Sequence, residues 1–214
     1  MNGKRKWLSA VCAALLAVMC VSAACAQELA DNEFIGENNY GAGGMIRVKV
    51  TMDGDKIAKI KTLQQSETRG LGTTAIMKLT DEIIAKNSTE VDIIAGATLT
   101  SVSFTAAVRQ AVETALNVDP TAGVELAENE YLGVSNNALG GRLMVKVTVN
   151  DGAIAAIEVL ESHESEELGE VVLASQVQKM LDAGNAEVDQ VAGATITCKA
   201  LAEAVNMALE AAAQ

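Results

Sequence analysis

Aromatic residues are almost missing from this chain, with two Phe, two Tyr and one Trp among 214 residues. Half of the chain is nevertheless apolar, so any core must be assembled from Ala, Val, Ile, Leu and Met. Proline occurs once, at Pro120, and histidine once, at His163. Cysteine occurs at Cys12, Cys20, Cys25 and Cys198. The first three fall in an N-terminal segment that reads as removable, which leaves Cys198 alone in the folded part. One thiol closes no internal disulfide, and with one histidine it makes no Cys-rich metal centre. There is no C-x-x-C-H haem run, no G-x-G-x-x-G dinucleotide fingerprint and no nucleophile–base pair. Basic residues are scarce as well: 16 Lys and Arg stand against 28 Asp and Glu, a formal charge of −12. A polyanion repels nucleic acid and anionic membrane surfaces.

The N-terminus reads as an export signal over residues 1–26. Lys4-Arg5-Lys6 precedes an apolar run from Trp7 to Ala24, and Ala24-Cys25-Ala26 stands before the polar Gln27-Glu28. A basic stub, a short apolar stretch and a small-x-small site mark a secretory signal, and the run is short for a membrane span. Two processing routes are open. One is cleavage after Ala26. The other is lipidation of Cys25, since Ser22-Ala23-Ala24-Cys25 is similar to a lipoprotein signal with Ser22 where Leu is usual. Either places the protein at the cell surface, in a periplasm or outside the cell, with the membrane reached only through lipid on Cys25. Taking Lys4, Arg5 and Lys6 from the 16 basic residues leaves 13 against 28 acidic ones, a balance of −15.

The remainder is an internal duplication with a constant offset of 97 residues. Asp31-Asn32-Glu33-Phe34-Ile35-Gly36 returns as Glu128-Asn129-Glu130-Tyr131-Leu132-Gly133. Glu67 returns as Glu164, Gly72 as Gly169 and Asp92 as Asp189. Two copies of this length are too few and too long for a solenoid. They read as tandem domains, 31–117 and 124–214, joined through the breaker-rich stretch around Pro120.

Each copy carries the same order of elements. Ile46, Val48 and Val50 alternate with polar residues at the period of a half-buried strand, as do Leu143, Val145, Val147 and Val149. Asp53-Gly54 and Asn150-Asp151-Gly152 offer turns, and Lys56–Leu63 and the run through Val159 return as second strands. Ile76, Leu79, Ile83 and Ile84 predict a helix, matched by Leu173, Val177, Met180 and Leu181, with Gly184 as a C-terminal cap. A closing helix follows Thr98 in one copy and Thr195 in the other. The expected fold is α+β, two similar domains each with a mainly antiparallel sheet and helices.

Asp92-Ile93-Ile94-Ala95-Gly96-Ala97-Thr98-Leu99-Thr100 and Asp189-Gln190-Val191-Ala192-Gly193-Ala194-Thr195-Ile196-Thr197 are the chemically suggestive segments. Each lies directly before a helix. A Gly-containing turn there leaves backbone N–H groups open where the helix dipole favours a negative group. Thr100 and Thr197, or Ser101, are expected to act as N-caps, which leaves Thr98 and Thr195 as the presented hydroxyls. An ordinary tight turn before a capped helix would read the same way in one copy.

Both copies, over residues 31–213, resemble the FMN-binding domain of the peripheral flavin subunits of Rnf complexes and sodium-pumping NADH:quinone reductases. That family carries Asp-x-x-Ser/Thr-Gly-Ala-Thr, whose last Thr bears FMN through a phosphoester made by a flavin transferase. The resemblance implies FMN on Thr98 and Thr195, two per chain, with Gly96, Ala97, Gly193 and Ala194 beside them and Asp92 and Asp189 as motif acids. It also implies that the upstream segments Ser66-Glu67-Thr68-Arg69-Gly70-Leu71-Gly72 and His163-Glu164-Ser165-Glu166-Glu167-Leu168-Gly169 belong to the flavin site. Ala95 and Ala192 replace the family's hydroxyl residue, and Glu167 replaces a Gly that the first copy keeps as Gly70. Phe34, Tyr40, Phe104 and Tyr131 are the aromatics that could face a flavin ring. His163 reads equally as a solvated loop residue, and Cys198 as a filler at the helix start.

The implied function is electron transfer by an exported two-flavin carrier, fed by a membrane quinol-linked or Rnf-type donor. Two rivals stand beside it. One is a flavin-bearing donor to a catalytic partner that reduces a small acceptor such as fumarate. The other is a non-redox binding module whose Gly-Ala-Thr turns are only turns.

Overall fold

A computed structural model describes residues 29–164 and 166–214. The export segment, with Lys4–Lys6, Cys25 and Ala26, lies outside the described residues. Among those described, no helix is long and apolar enough to cross a membrane.

Residues 32–214 form one compact unit containing both repeats. The first repeat runs β1 (Glu33–Gly41), β2 (Gly44–Asp53), β3 (Lys56–Gln64), α1 (Gly72–Lys86) and α2 (Thr98–Ala115). The second runs β4 (Glu130–Ala138), β5 (Gly141–Asn150), β6 (Ala153–Ser162), α3 (Glu166–Ala183) and α4 (Thr195–Ala212). Each set of three strands is an antiparallel sheet in simple order, with β2 or β5 in the centre. This is the expected α+β class. Irregularities in strand register recur at equivalent places, between Thr51 and Met52 and between Thr148 and Val149.

The central strands form because alternate residues can be buried. Ile46, Val48 and Val50 are fully buried while Arg47, Lys49 and Thr51 are half-buried on the other face. Burying each such aliphatic side chain contributes roughly 1.5–3 kcal/mol before entropy is counted. α2 lies across β1 and β2, closing a core of Ile46, Val48, Val50, Leu79, Ile83, Phe104 and Val108. α4 repeats this over Leu143, Val145 and Val147, with Met180, Leu201 and Val205. Gly184 ends α3 as expected, at φ 67° with its N–H donating to Leu181 O.

β1 and β4 escaped the periodicity reading, and glycine explains how they fit. A Cβ on Gly36 would lie 1.8 Å from Ala107 O, and one on Gly133 would lie 1.8 Å from Ala204 O. The helix backbone therefore rests directly on the strand, which sets the height of each motif-bearing helix above its sheet.

The aromatic residues are mostly spent on packing. Phe104 is fully buried in the first core, and Phe34 and Tyr131 pack against the first and second cores. That placement overturns Phe104 as a candidate flavin-facing residue, because no face of its ring reaches the surface.

Candidate flavin-attachment sites

Thr98 and Thr195 are the first residues of α2 and α4, and both are exposed. Gly96 and Gly193 precede them at φ 80° and 85°, a left-handed backbone that a side chain would strain. Ala97 N–H then donates to Ile94 O at 2.9 Å and Ala194 N–H to Val191 O at 3.1 Å, closing the same turn in both repeats. Ala95, Gly96, Ala192 and Gly193 are exposed, so nothing bulky shields the helix start.

The expected N-caps are corrected here. The cap positions are Ala97 and Ala194, and neither helix has a side-chain cap or an acidic residue in its first turn. Thr100 and Thr197 lie within that turn, buried, and point inward. Thr100 Oγ1 donates to Glu67 Oε2 at 2.5 Å and Thr197 Oγ1 donates to Glu164 Oε2 at 3.0 Å. Alanine supplies no oxygen to the first-turn N–H groups, so the positive helix end stays open to an anion.

Glu67 and Glu164 are thus braces. The other oxygen of Glu67 accepts from Gly43 N–H at 3.1 Å, and that of Glu164 accepts from Gly140 N–H at 3.4 Å. Each carboxylate ties the turn between its repeat's first two strands to the first turn of the motif helix. The brace is tight: a Cβ on Gly43 would lie 2.0 Å from Ser66 O, and one on Gly140 would lie 2.0 Å from His163 O. Burial pushes the Glu164 carboxyl above its usual value, against the hydrogen bonds from Thr197, Gly140 and Leu139.

Ser101 adds a second tie in the first repeat. Its Oγ donates to Ala97 O at 2.9 Å and accepts from Ile94 N–H at 3.2 Å, holding the turn against the helix. Cys198 occupies the equivalent place and is buried, in keeping with a filler role. Asp92 and Asp189 are exposed six residues before Thr98 and Thr195, and Lys179 Nζ donates to Asp189 O at 2.9 Å.

His163 lies on the wall of a cleft of about 1190 Å³ that also contains Asp92 and Thr98. The cleft opens between the repeats, with α2 on one side and β6 and α3 on the other. His163 Nε2 is 2.7 Å from Glu161 Oε1. Arg142 grips Glu161 through Nε and Nη2 at 2.9 and 2.7 Å, and grips Glu113 of the first repeat at 2.7 and 3.0 Å. Arg109 Nη1 donates to Gly140 O at 3.2 Å, and Asn38 Nδ2 donates to Leu139 O at 3.1 Å. These contacts fasten the two repeats together.

The sequence reading missed this junction, yet a signal for it exists in the offset. Arg142, Glu161 and Arg109 align with Met45, Gln64 and Asn206. A two-copy protein has one junction, so its residues need not recur.

Burial alone would raise the Glu161 carboxyl, but hydrogen bonds from His163 and Arg142 and their charges hold it down at about 2. A carboxylate depressed on folding contributes stability that is present above the ordinary value of 4.5 and is lost as pH falls toward 2. Glu161→Gln should therefore flatten the fall in melting temperature between pH 4.5 and 2, while lowering stability at neutral pH. Thermal melts of both proteins across that range check it.

These paired, open helix starts on twin α+β units define a class. The FMN-binding domain family matches residues 41–113 and again residues 139–210, more than half of the chain. The chain belongs to that family, in tandem. It is also 41% identical over 73 residues to the urocanate reductase of Eggerthella lenta, a stretch that makes up 34% of this chain and 12% of that protein. The matched stretch is thus a small part of that relative's length.

Proposed function

We propose that this protein is an extracytoplasmic electron-transfer flavoprotein that carries FMN on Thr98 and Thr195 through phosphoester bonds. One observation supports this reading above the others. In both repeats an exposed threonine opens an uncapped helix behind a left-handed glycine, while the neighbouring threonine is turned inward onto a buried glutamate. The division of labour leaves one hydroxyl per repeat free for attachment, with small residues around it and first-turn N–H groups suited to the phosphate. Bound FMN would supply the electron chemistry, and the chain supplies attachment, orientation and field. A flavin transferase would make the bonds, and a membrane quinol-linked or Rnf-type donor would feed them.

The chain is to be produced together with a flavin transferase, and a denatured gel examined under ultraviolet light. Fluorescence that stays with the band is expected; a dark band contradicts covalent attachment and favours the plain binding module.

The relative named a reductase favours a second reading, in which this chain donates electrons to a catalytic partner that reduces a small acceptor. Turnover by the purified flavinylated chain alone separates the two readings. A carrier passes on its stored electrons once and shows no steady-state reduction of a small organic acceptor such as fumarate.

A mature carrier without Lys4, Arg5 and Lys6, 13 basic against 28 acidic residues and a balance of −15, should also discriminate acceptors by sign. Its field speeds encounter with cations and slows encounter with anions, and screening sets in beyond about 8 Å at physiological ionic strength. Stopped-flow reoxidation of the reduced protein by a cationic acceptor should slow as salt is added, and reoxidation by an anionic acceptor should quicken. Rates indifferent to both charge and salt would indicate flavins closed off from diffusing partners.

A further inference from the structure

The two attachment sites are alike in their turns and unlike in what lies beyond them. Along α2, Thr98, Ser101, Val102, Thr105 and Arg109 form one stripe at helical spacing, and all five line the cleft between the repeats. The equivalent stripe on α4 is Thr195, Cys198, Lys199, Ala202 and Asn206. Val102 is buried where Lys199 is exposed, and Arg109 is largely covered where Asn206 is exposed. From Thr98 to Arg109 the helix rises about 16 Å, so the stripe runs about three turns along the cleft from the attachment position. At about 1190 Å³ the cleft slightly exceeds the usual range for ligand pockets, about 300–1,000 Å³.

Arg109 is the arginine that lines this cleft, among carboxylates that include Glu90, Asp92 and Glu161. Its Nη1 is used on Gly140 O, and Glu90 lies 3.8 Å from Nη2, but its buried Nε has no hydrogen-bond partner. A buried donor without a partner costs roughly 1–3 kcal/mol. A guanidinium also stacks on aromatic faces and offers its donors in a plane, which suits the carbonyl-bearing edge of a flavin ring. The opposite wall comes from the second repeat, through Leu160, Glu161 and His163.

We propose that the flavin borne by Thr98 seats its ring in the cleft between the repeats, against Arg109 on one side and β6 on the other, so that the chain holds one shielded flavin and, on Thr195, one open flavin. This rests on the covalent reading above and goes beyond it by making the sites unequal. Arg109 is then a positioning and tuning residue for one flavin only. When dithionite reduces a flavin, the ring takes up two electrons and one proton and keeps one negative charge, while dithionite is oxidised to sulfite. A guanidinium beside the ring stabilises that anion and raises the midpoint potential.

The test uses the full chain flavinylated at one site at a time, Thr195→Ala leaving the Thr98 flavin and Thr98→Ala leaving the Thr195 flavin. Quenching of flavin fluorescence by acrylamide should be several-fold weaker for the Thr98 flavin. Leu160→Trp, a ring added from the second repeat, should quench the Thr98 flavin and leave the Thr195 flavin bright. Arg109→Gln should lower the midpoint potential of the Thr98 flavin alone, and Arg109→Lys should restore part of it. Equal accessibility of the two flavins, with neither Leu160→Trp nor Arg109→Gln distinguishing them, would overturn the shielded seat and leave covalent attachment standing. Absence of flavin from both single-site proteins would instead overturn the attachment reading itself.

Discussion

Thr98→Ala and Thr195→Ala should each halve the covalent flavin per chain, and the double variant should hold none. The effect is all-or-none at each site because no second hydroxyl is placed to substitute. Thr100 and Thr197 are buried and committed to Glu67 and Glu164, and Ser101 is committed to the turn itself. Folding should persist in all three variants. Thr98 and Thr195 are exposed, and substitution at such positions usually costs within about 0.5 kcal/mol. Flavin absorbance per chain after denaturation measures the outcome. Two flavins retained by the double variant would remove both acceptor assignments.

Gly36→Ala and Gly133→Ala should be the most destabilising single-methyl changes among the described glycines. In each, the new Cβ meets a helix carbonyl oxygen at 1.8 Å, backbone against backbone, with no flexible side chain to yield. Overpacked cores typically lose 1–3 kcal/mol, and these contacts belong at the upper end, about 3 kcal/mol. A domain stable by some 5–15 kcal/mol loses a large share of its margin. The motif helix must lift from the sheet to admit the methyl, so flavin incorporation at the affected repeat should fall as well. Urea midpoints check the first effect, and site-by-site flavin content checks the second. A midpoint shift worth less than about 0.5 kcal/mol would mean that α2 or α4 rides higher than described.

What could be read from the residues alone was what depends on spacing. Ile46, Val48 and Val50 announced a half-buried strand, and the helical pattern from Ile76 to Ile84 announced α1. The constant offset of 97 between Glu67 and Glu164, or Thr98 and Thr195, announced the duplication. β1 and β4 were not legible because Gly36, Asn38 and Asn39, with their counterparts, are breakers by propensity. They become strands through pairing with β2 and β5 and through the close seat their glycines allow. The N-caps were misread for a related reason. Capping preference favours Thr100, Thr197 or Ser101 over alanine, but Glu67 and Glu164 claim the two threonines from a neighbouring loop, a contact 33 residues away in each case. The junction was hidden because Arg142, Glu161 and Arg109, which make its charged contacts, have no counterparts of the same kind in the other repeat.

Under the proposed function each repeat presents one threonine for a flavin phosphoester. Peptide mass analysis of the flavinylated chain tests it most directly, by fragmenting the two peptides that span Ala95-Gly96-Ala97-Thr98 and Ala192-Gly193-Ala194-Thr195. An FMN adduct is expected on both peptides, with the modified residue Thr98 in one and Thr195 in the other. Adducts on Thr100 or Thr197, or unmodified peptides beside a coloured protein, would contradict it.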